Sequence, residues 1–344
     1  MTDLHSFRPE RILVCQLRQI GDVLLTTPSI RLLHERYPDA SIDVFTEKKC
    51  TPVLENNPHV RKIWALDKKE LPHFVAELKF YARIAREQYD LVVDFQQLPR
   101  CRFVTLMSRA TVRLSYPPPW YNRLLYTHWT QPDPEYSAGY RVNILAPLGI
   151  AWNGQAPEIF LTDKEKAWAG EYLAGLGLAP GGFITLDPTH RRSTRLWPAR
   201  HYGAMIGQVH AVRPDLRFLI LYGPGERDMA AEVVARCPSP EACVLPDTVI
   251  GLRQMAAVQS MARLHVGNCS APRHFAVAVK TPTLIVTGAT GRGWLYPSPD
   301  HKDVFLDLPC RPCNKNSCAR KDHACLENLL PEEVARRLLD MLGS

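Results

Sequence analysis

The sequence predicts a two-domain α/β protein in which each domain is a parallel sheet covered by helices. The chain has 344 residues, beyond the roughly 250–300 at which a single hydrophobic core stops growing. Short apolar runs alternate with helical patterns in two series, one before residue 115 and one after Gly182. Parallel strands need a crossover between them, and the helical stretches supply it. Hydrophobic residues at 46% and charged residues at 22% provide for two cores without a membrane-protein composition.

In the first series, residues 11–15 read as a strand and the pattern Leu24, Leu25, Ile30, Leu33 as its helix. Further strands are expected at 41–45, 62–66, 90–94 and 111–114. From residue 115 to 139, Pro117, Pro118, Pro119, Pro132 and Pro134 rule out a continuous helix. The interleaved Trp120 and Tyr121 read as packing of an irregular loop, or as a lid over an acceptor. Short helices are expected at 140–148 and 162–176. The second series places strands at 183–186, 217–221, 263–266 and 283–286. Its helices fall at 199–212, 226–235, 252–258 and 274–279. Pro331 with two glutamates behind it starts a last helix. The expected domains are 1–155 and 156–330, with 331–344 as a helix crossing back to the first. Loops at the carboxyl ends of the two sheets are expected to share one active-site cleft.

Residues 1–10 lack the apolar core and cleavage pattern of a signal peptide, and no run approaches the roughly 18 apolar residues of a membrane span. A cytoplasmic protein is expected, its membrane contact peripheral at the cytoplasmic face of the inner membrane. The net charge of +7 suits an anionic acceptor or lipid surface. No recognition module or dense basic stripe points to nucleic acid, so none is expected as a partner. Cys15, Cys50, Cys101, Cys237 and Cys243 are scattered and read as reduced structural thiols.

Three segments carry chemistry. The first joins the opening strand to its helix and holds Arg18, Gly21 and Asp22. Asp22 near a helix start can cap free amides, or accept a proton from a weakly nucleophilic hydroxyl. The second, at 187–198, places Thr189 and Arg195 among further hydroxyls and arginines, a set able to stabilise a departing diphosphate. A glycine-rich turn at 222–227 follows with Glu226. The third, at 264–276, holds Asn268, Cys269, Ser270, Ala271 and His274 between a strand and a helix, where backbone amides can hold phosphate. The first segment lacks the three-glycine fingerprint of dinucleotide-dependent dehydrogenases.

Together these segments resemble the heptosyltransferases, the lipopolysaccharide-core branch of the GT-B glycosyltransferases, over nearly the whole chain. The resemblance implies a GT-B-like pair of Rossmann-like domains and an inverting sugar transfer, commonly from ADP-heptose to a glycolipid acceptor, with no cofactor required for catalysis. It makes Asp22 the general base and places Arg18 and Gly21 on the acceptor side. It places Thr189, Arg195, Glu226, Asn268, Cys269, Ser270, Ala271 and His274 on the donor side, with Arg195 at the basic phosphate position and Glu226 at the ribose hydroxyls. Two positions depart from the pattern: Cys269 stands where the family has aspartate, and Ala271 where it has glycine. The first removes a contact to donor-sugar hydroxyls, so another nucleotide sugar or a noncatalytic donor-binding homologue are the competing readings.

Cys310, Cys313, Cys318 and Cys325 form one tight cluster with His323 among them. Such spacings can converge on a structural zinc ion or an iron–sulfur cluster, or remain metal-free thiols.

Overall fold

The structure, a computed structural model, describes residue 4 and residues 6–71, 73–133 and 136–343. Met1, Pro134 and Ser344, which entered the readings above, lie outside the described residues. The chain divides into two compact units, Met1–Phe160 and Leu161–Ser344. That boundary lies slightly later than 155–156. Glu158 is held to the first unit, its N–H donating to Thr27 Oγ1 at 2.8 Å and its carboxylate pairing with Arg31 at 2.9 Å.

The first unit runs β1 (Arg11–Cys15), α1 (Ile20–Leu24), α2 (Thr27–Arg36), β2 (Ser41–Glu47), β3 (Lys62–Leu66), α3 (Phe74–Ala85), β4 (Leu91–Asp94), α4 (Pro99–Ser108), β5 (Val112–Ser115), β6 (His128–Trp129) and α5 (Ser137–Val142). Its strands pair in parallel in the order β3-β2-β1-β4-β5-β6. Four of the five residues of β1 are buried, as a strand covered on both faces requires. Leu13 and Val92 of the sheet pack with Tyr81 and Ile84 of α3 and with Val104 of α4.

The second unit runs α6 (Asp163–Gly175), β7 (Phe183–Asp187), α7 (Ala199–Val212), β8 (Arg217–Ile220), α8 (Arg227–Ala235), β9 (Cys243–Val244), α9 (Leu252–Gln259), β10 (Leu264–Asn268), α10 (Ala271–Ala278), β11 (Thr283–Val286), β12 (His301–Val304), α11 (Ala324–Glu327) and α12 (Pro331–Leu342). The order β12-β11-β10-β7-β8-β9, again all parallel, repeats the first topology. In each unit the chain leaves a central strand, builds one half of the sheet, and crosses to the other side. The crossing puts a switch point between β1 and β4 and another between β7 and β10, where open α/β sheets take ligands.

Several expectations change. The strands β6, β9 and β12 were not foreseen: two have only two residues, and β12, His-Lys-Asp-Val, carries little apolar signal. The helix expected at 140–148 is α5 followed by a 3-10 turn, Asn143–Leu148, containing Pro147. The helix expected from 274 begins at Ala271, with Pro272 in its first turn. Residues 331–344 were read as crossing back to the first domain, but α12 packs on α7, and Val334 and Leu338 join the core of the second unit. Tyr126 is buried as packing of the proline-rich loop would have it, whereas Trp120, Tyr121 and Leu124 are exposed.

Candidate functional site

In the first unit the chain leaves β1 at the switch point, and residues 16–19 make the turn into α1. Gln96, just beyond β4, holds that turn: its Oε1 accepts from the N–H groups of Leu17 at 3.1 Å and Arg18 at 3.2 Å. Gly21 lies within α1 and does not take the left-handed conformation that only glycine adopts freely. Asp22, half-buried in the first turn of α1, accepts from Gln19 N–H through Oδ2 at 3.1 Å. Its Oδ1 pairs with Arg141 of α5 at 2.7 Å. The buried Arg141 fork is fixed in turn by Ser137, its Nη1 donating to the carbonyl at 2.7 Å and to Oγ at 2.6 Å. Each carboxylate oxygen of Asp22 thus has one protein donor and keeps a lone pair for another. Arg18 is exposed, and its side chain has no partner among the described residues.

In the second unit, the loops after β7 and β10 meet at the second switch point. Gly267 of β10 makes this approach possible, because a Cβ there would come within 2.6 Å of the Asp187 carbonyl. Asp187 ends β7 buried and accepts a hydrogen bond from the hydroxyl of Ser270, the cap residue of α10. Burial, with a smaller contribution from the Glu226 charge, pushes the Asp187 carboxyl up to about 7. Asn268 braces the loop by accepting from Trp197 N–H at 3.0 Å. Trp197 is fully buried and donates its indole N–H to the Leu329 carbonyl at 3.0 Å, anchoring the Trp-Pro segment that opens α7.

Arg195 ends a 3-10 turn, Ser193–Arg195, and is half-buried without a side-chain partner among the described residues. Burial lowers the pKa of its guanidinium, partly opposed by Cys269, and no carboxylate among the described residues pairs with it. Burial and the neighbouring Arg195 and Arg192 push His190 down to about 4, leaving it neutral at pH 7. Thr189 Oγ1 donates to Glu226 at 2.7 Å, and Gly223 N–H donates to the same carboxylate at 3.1 Å. Gly225, at φ +79°, closes that turn in the left-handed conformation that favours glycine.

The remaining donor-side candidates lie deeper. Cys269 is buried, and its sulfur accepts from Arg273 at 3.4 Å; Arg273 in turn pairs with Asp303 of β12 at 2.8 Å. The residue in the family's aspartate position therefore faces a buried ion pair. His274 is buried, its ring tilted at 52° to that of Trp294 with centres 5.8 Å apart. Ala271 opens α10.

Sequence reasoning missed Arg141 and Asp187. Asp187 left a signal, a carboxylate at the end of an otherwise apolar strand, Phe-Ile-Thr-Leu-Asp. Arg141 had only its place among Tyr140 and Val142 as a hint, since its partner is 119 residues away.

Two six-stranded parallel units of this order have the architecture of a GT-B-like protein, the fold class of many glycosyltransferases. The sequence model of glycosyltransferase family 9 (heptosyltransferase) matches residues 78–324. The chain belongs to that family. The lipooligosaccharide heptosyltransferase 2 of Campylobacter jejuni serotype O:2 is 33% identical over 343 residues, 94% of this chain and 95% of the relative. The lipopolysaccharide heptosyltransferase 3 of Escherichia coli is 26% identical over 287 residues, 80% and 82% of the two chains. A family 9 glycosyl transferase from Veillonella parvula shares the fold at a TM-score of 0.84 and 20% identity, covering 97% of this chain and 98% of its own. The protein is thus a heptosyltransferase-like sugar transferase, of the kind at work in lipopolysaccharide biosynthesis.

Proposed function

We propose that the protein transfers heptose from ADP-heptose to a lipopolysaccharide-core acceptor with inversion. The observation that carries this reading is the Asp22 carboxylate, oriented by Arg141 and Gln19 at the first switch point. In the proposed step an acceptor hydroxyl oxygen attacks the anomeric carbon from the face opposite the diphosphate. Its proton passes to Asp22 as the C–O bond forms, and the bond to the diphosphate breaks with its electron pair going to ADP. Arg195, whose side chain has no partner among the described residues, receives the charge that grows on the leaving group, and the backbone amides at the start of α10 add donors. Burial shifts Asp187 towards its protonated form, which lessens carboxylate repulsion of an approaching diphosphate.

The acceptor is proposed to be an anionic glycolipid reached at a membrane surface. No helix of the described residues is long and apolar enough to cross a membrane. Trp120, Tyr121 and Leu124, 80%, 62% and 97% exposed, share the turn Trp120–Leu125 with the exposed Arg123. An apolar and aromatic edge beside a cation suits the headgroup boundary of an anionic bilayer.

A mass-resolved assay with ADP-heptose, other nucleotide sugars and lipid-A-core acceptors tests the reaction. A heptose increment is expected, and Asp22→Asn, which keeps the shape and the cap, should slow it about 10²- to 10⁴-fold. An increment from another sugar overturns the donor, and an undiminished Asp22→Asn rate overturns the base.

A further inference from the structure

Asp187 and Ser270 come together where β7 and β10 end. In the parallel ladder Asp187 stands opposite Gly267, whose missing side chain allows the close approach of the two strands. Ser270 follows three residues later and begins α10. The chain before it is held by Asn268, which accepts from Trp197 N–H at 3.0 Å and donates its side-chain amide to the Thr189 carbonyl at 3.5 Å. Asp187 is buried, and its neighbours are Ser270, the Thr189 hydroxyl at 3.4 Å and the carboxylate of Glu226. No cation among the described residues pairs with it. A buried carboxyl without a cation is costly, so an apolar residue would serve a purely structural strand end better.

Ser270 has the backbone of a helix cap but not the hydrogen bond of one. At φ −135° and ψ −176° it is extended, as capping residues are, and serine is preferred there because its oxygen accepts from an amide of the first turn. Thr162 does this at the start of α6, its Oγ1 accepting from Glu165 N–H at 3.3 Å. Ser270 instead turns its hydroxyl to Asp187, and the first turn of α10 has no side-chain cap. A carboxyl accepts this hydrogen bond whether ionised or protonated. Pro272 has no N–H, so the amide that a Ser270 cap would take is that of Arg273, the third residue of the helix. Without Asp187 the hydroxyl could donate to the Asn268 carbonyl, 3.4 Å away, and accept from Arg273 N–H.

We propose that Asp187 is a positioning residue for the donor: by holding the Ser270 hydroxyl it keeps α10 uncapped, so that the amides of its first turn stay open to the diphosphate of the nucleotide sugar. An uncapped helix start favours an anion, because its N–H groups lack intrahelical partners and the helix dipole is positive there. A serine free to cap would occupy Arg273 N–H and would have to be displaced each time a nucleotide sugar bound. Asp187 removes that competition and acts through Ser270, without itself touching the substrate. This role rests on the donor reading of the second unit proposed above.

The test measures ADP binding to the full chain by calorimetry at about pH 6, below the value of about 7 to which burial pushes the Asp187 carboxyl, so that charge does little to separate the variants. Asp187→Asn keeps an acceptor for Ser270 and should bind ADP as wild type does. Asp187→Ala frees the hydroxyl and should bind ADP about fivefold more weakly, the equivalent of an N-cap hydroxyl's ~1 kcal/mol. Adding Ser270→Ala to Asp187→Ala removes the competing cap and should restore wild-type affinity, which a protein merely damaged in its core would not regain. In the ligand-free protein, amide exchange at residues 271–274 should be slower in Asp187→Ala than in wild type and return to the wild-type rate in the double variant. A double variant, or an Asp187→Asn, as weak as Asp187→Ala overturns the positioning role, and so does unchanged exchange. An equal loss in Ser270→Ala alone also overturns it, making the hydroxyl a direct ligand of the diphosphate. If wild type binds no ADP, the donor reading fails, while exchange at 271–274 still decides whether Asp187 holds Ser270 off the helix.

Discussion

Asp22 and Arg141 show what a single ion pair sets. Arg141 is almost wholly enclosed, and enclosing an unpaired guanidinium would be costly, so burial alone calls for its partnership with Asp22. Lysine cannot reproduce the fork that reaches Asp22 and both oxygens of Ser137. Arg141→Lys should therefore lower kcat by roughly 10², the scale of an ångström of misplacement, with little change in donor KM. Steady-state kinetics at varied donor separate that from a donor-side defect. Asp187 makes a different statement, about pH. Its carboxyl is pushed up from an ordinary 3.8 to about 7, so the folded unit holds the proton more tightly than the unfolded chain. That contribution is full below pH 3.8 and is lost as pH rises towards about 7. His265 and His301, pushed down by burial to about 3 and about 4, act in the opposite sense. The difference between wild type and Asp187→Asn isolates the carboxyl: urea unfolding should show the variant gaining on wild type from about pH 4 to 7 and holding level above. Parallel profiles would exclude the raised pKa.

Among the elements, the loops and short helices carry more of the candidate site residues than the strands, and they are where the sequence was hardest to read. Strands such as β1, β7 and β11 announce themselves because burial on both faces demands continuous apolar runs. The strands β6 and β9 do not, since two residues carry no period and only pairing with a neighbour defines them. The Asp22 segment was legible because glycine, aspartate and the following helix are adjacent in sequence. The Arg141 contact was not, because it is made by tertiary folding alone. The turn Trp120–Leu125 falls between: its prolines excluded a long helix, but nothing local told whether its aromatic residues would pack inward. With Trp120, Tyr121 and Leu124 exposed, Trp120→Ser/Leu124→Ser should weaken partitioning onto phosphatidylglycerol-containing vesicles, read by sedimentation, by about 10²-fold or more, each apolar side chain buried contributing roughly 1.5–3 kcal/mol. Transfer to a short, soluble acceptor should be unchanged. Equal sedimentation of variant and wild type would remove this turn from the membrane contact.

At the scale of the molecule, one strand order occurs twice, and each copy brings different chemistry to the same topological position. The first switch point presents an oriented carboxylate and the exposed, unpartnered Arg18. The second presents Arg195, without a side-chain partner among the described residues, and the opening turn of α10, whose cap residue Ser270 makes no side-chain cap hydrogen bond. A nucleoside diphosphate should therefore distinguish the units. Bound only by the folded second unit, ADP at 100 times its Kd should stabilise that unit by about 2.7 kcal/mol. Hydrogen exchange read by mass spectrometry resolves where this falls. Protection should rise in the loops after β7 and β10, at residues 188–195 and 269–271, and through the core around Trp197. The turn at residues 16–22 should keep its exchange rate in ADP alone, because its carboxylate and Arg141 already satisfy each other. Arg195→Gln should remove the protection while leaving the fold of the second unit intact, since the Arg195 side chain has no partner to lose among the described residues. Protection centred on residues 16–22 instead would reverse the assignment of donor and acceptor to the two units.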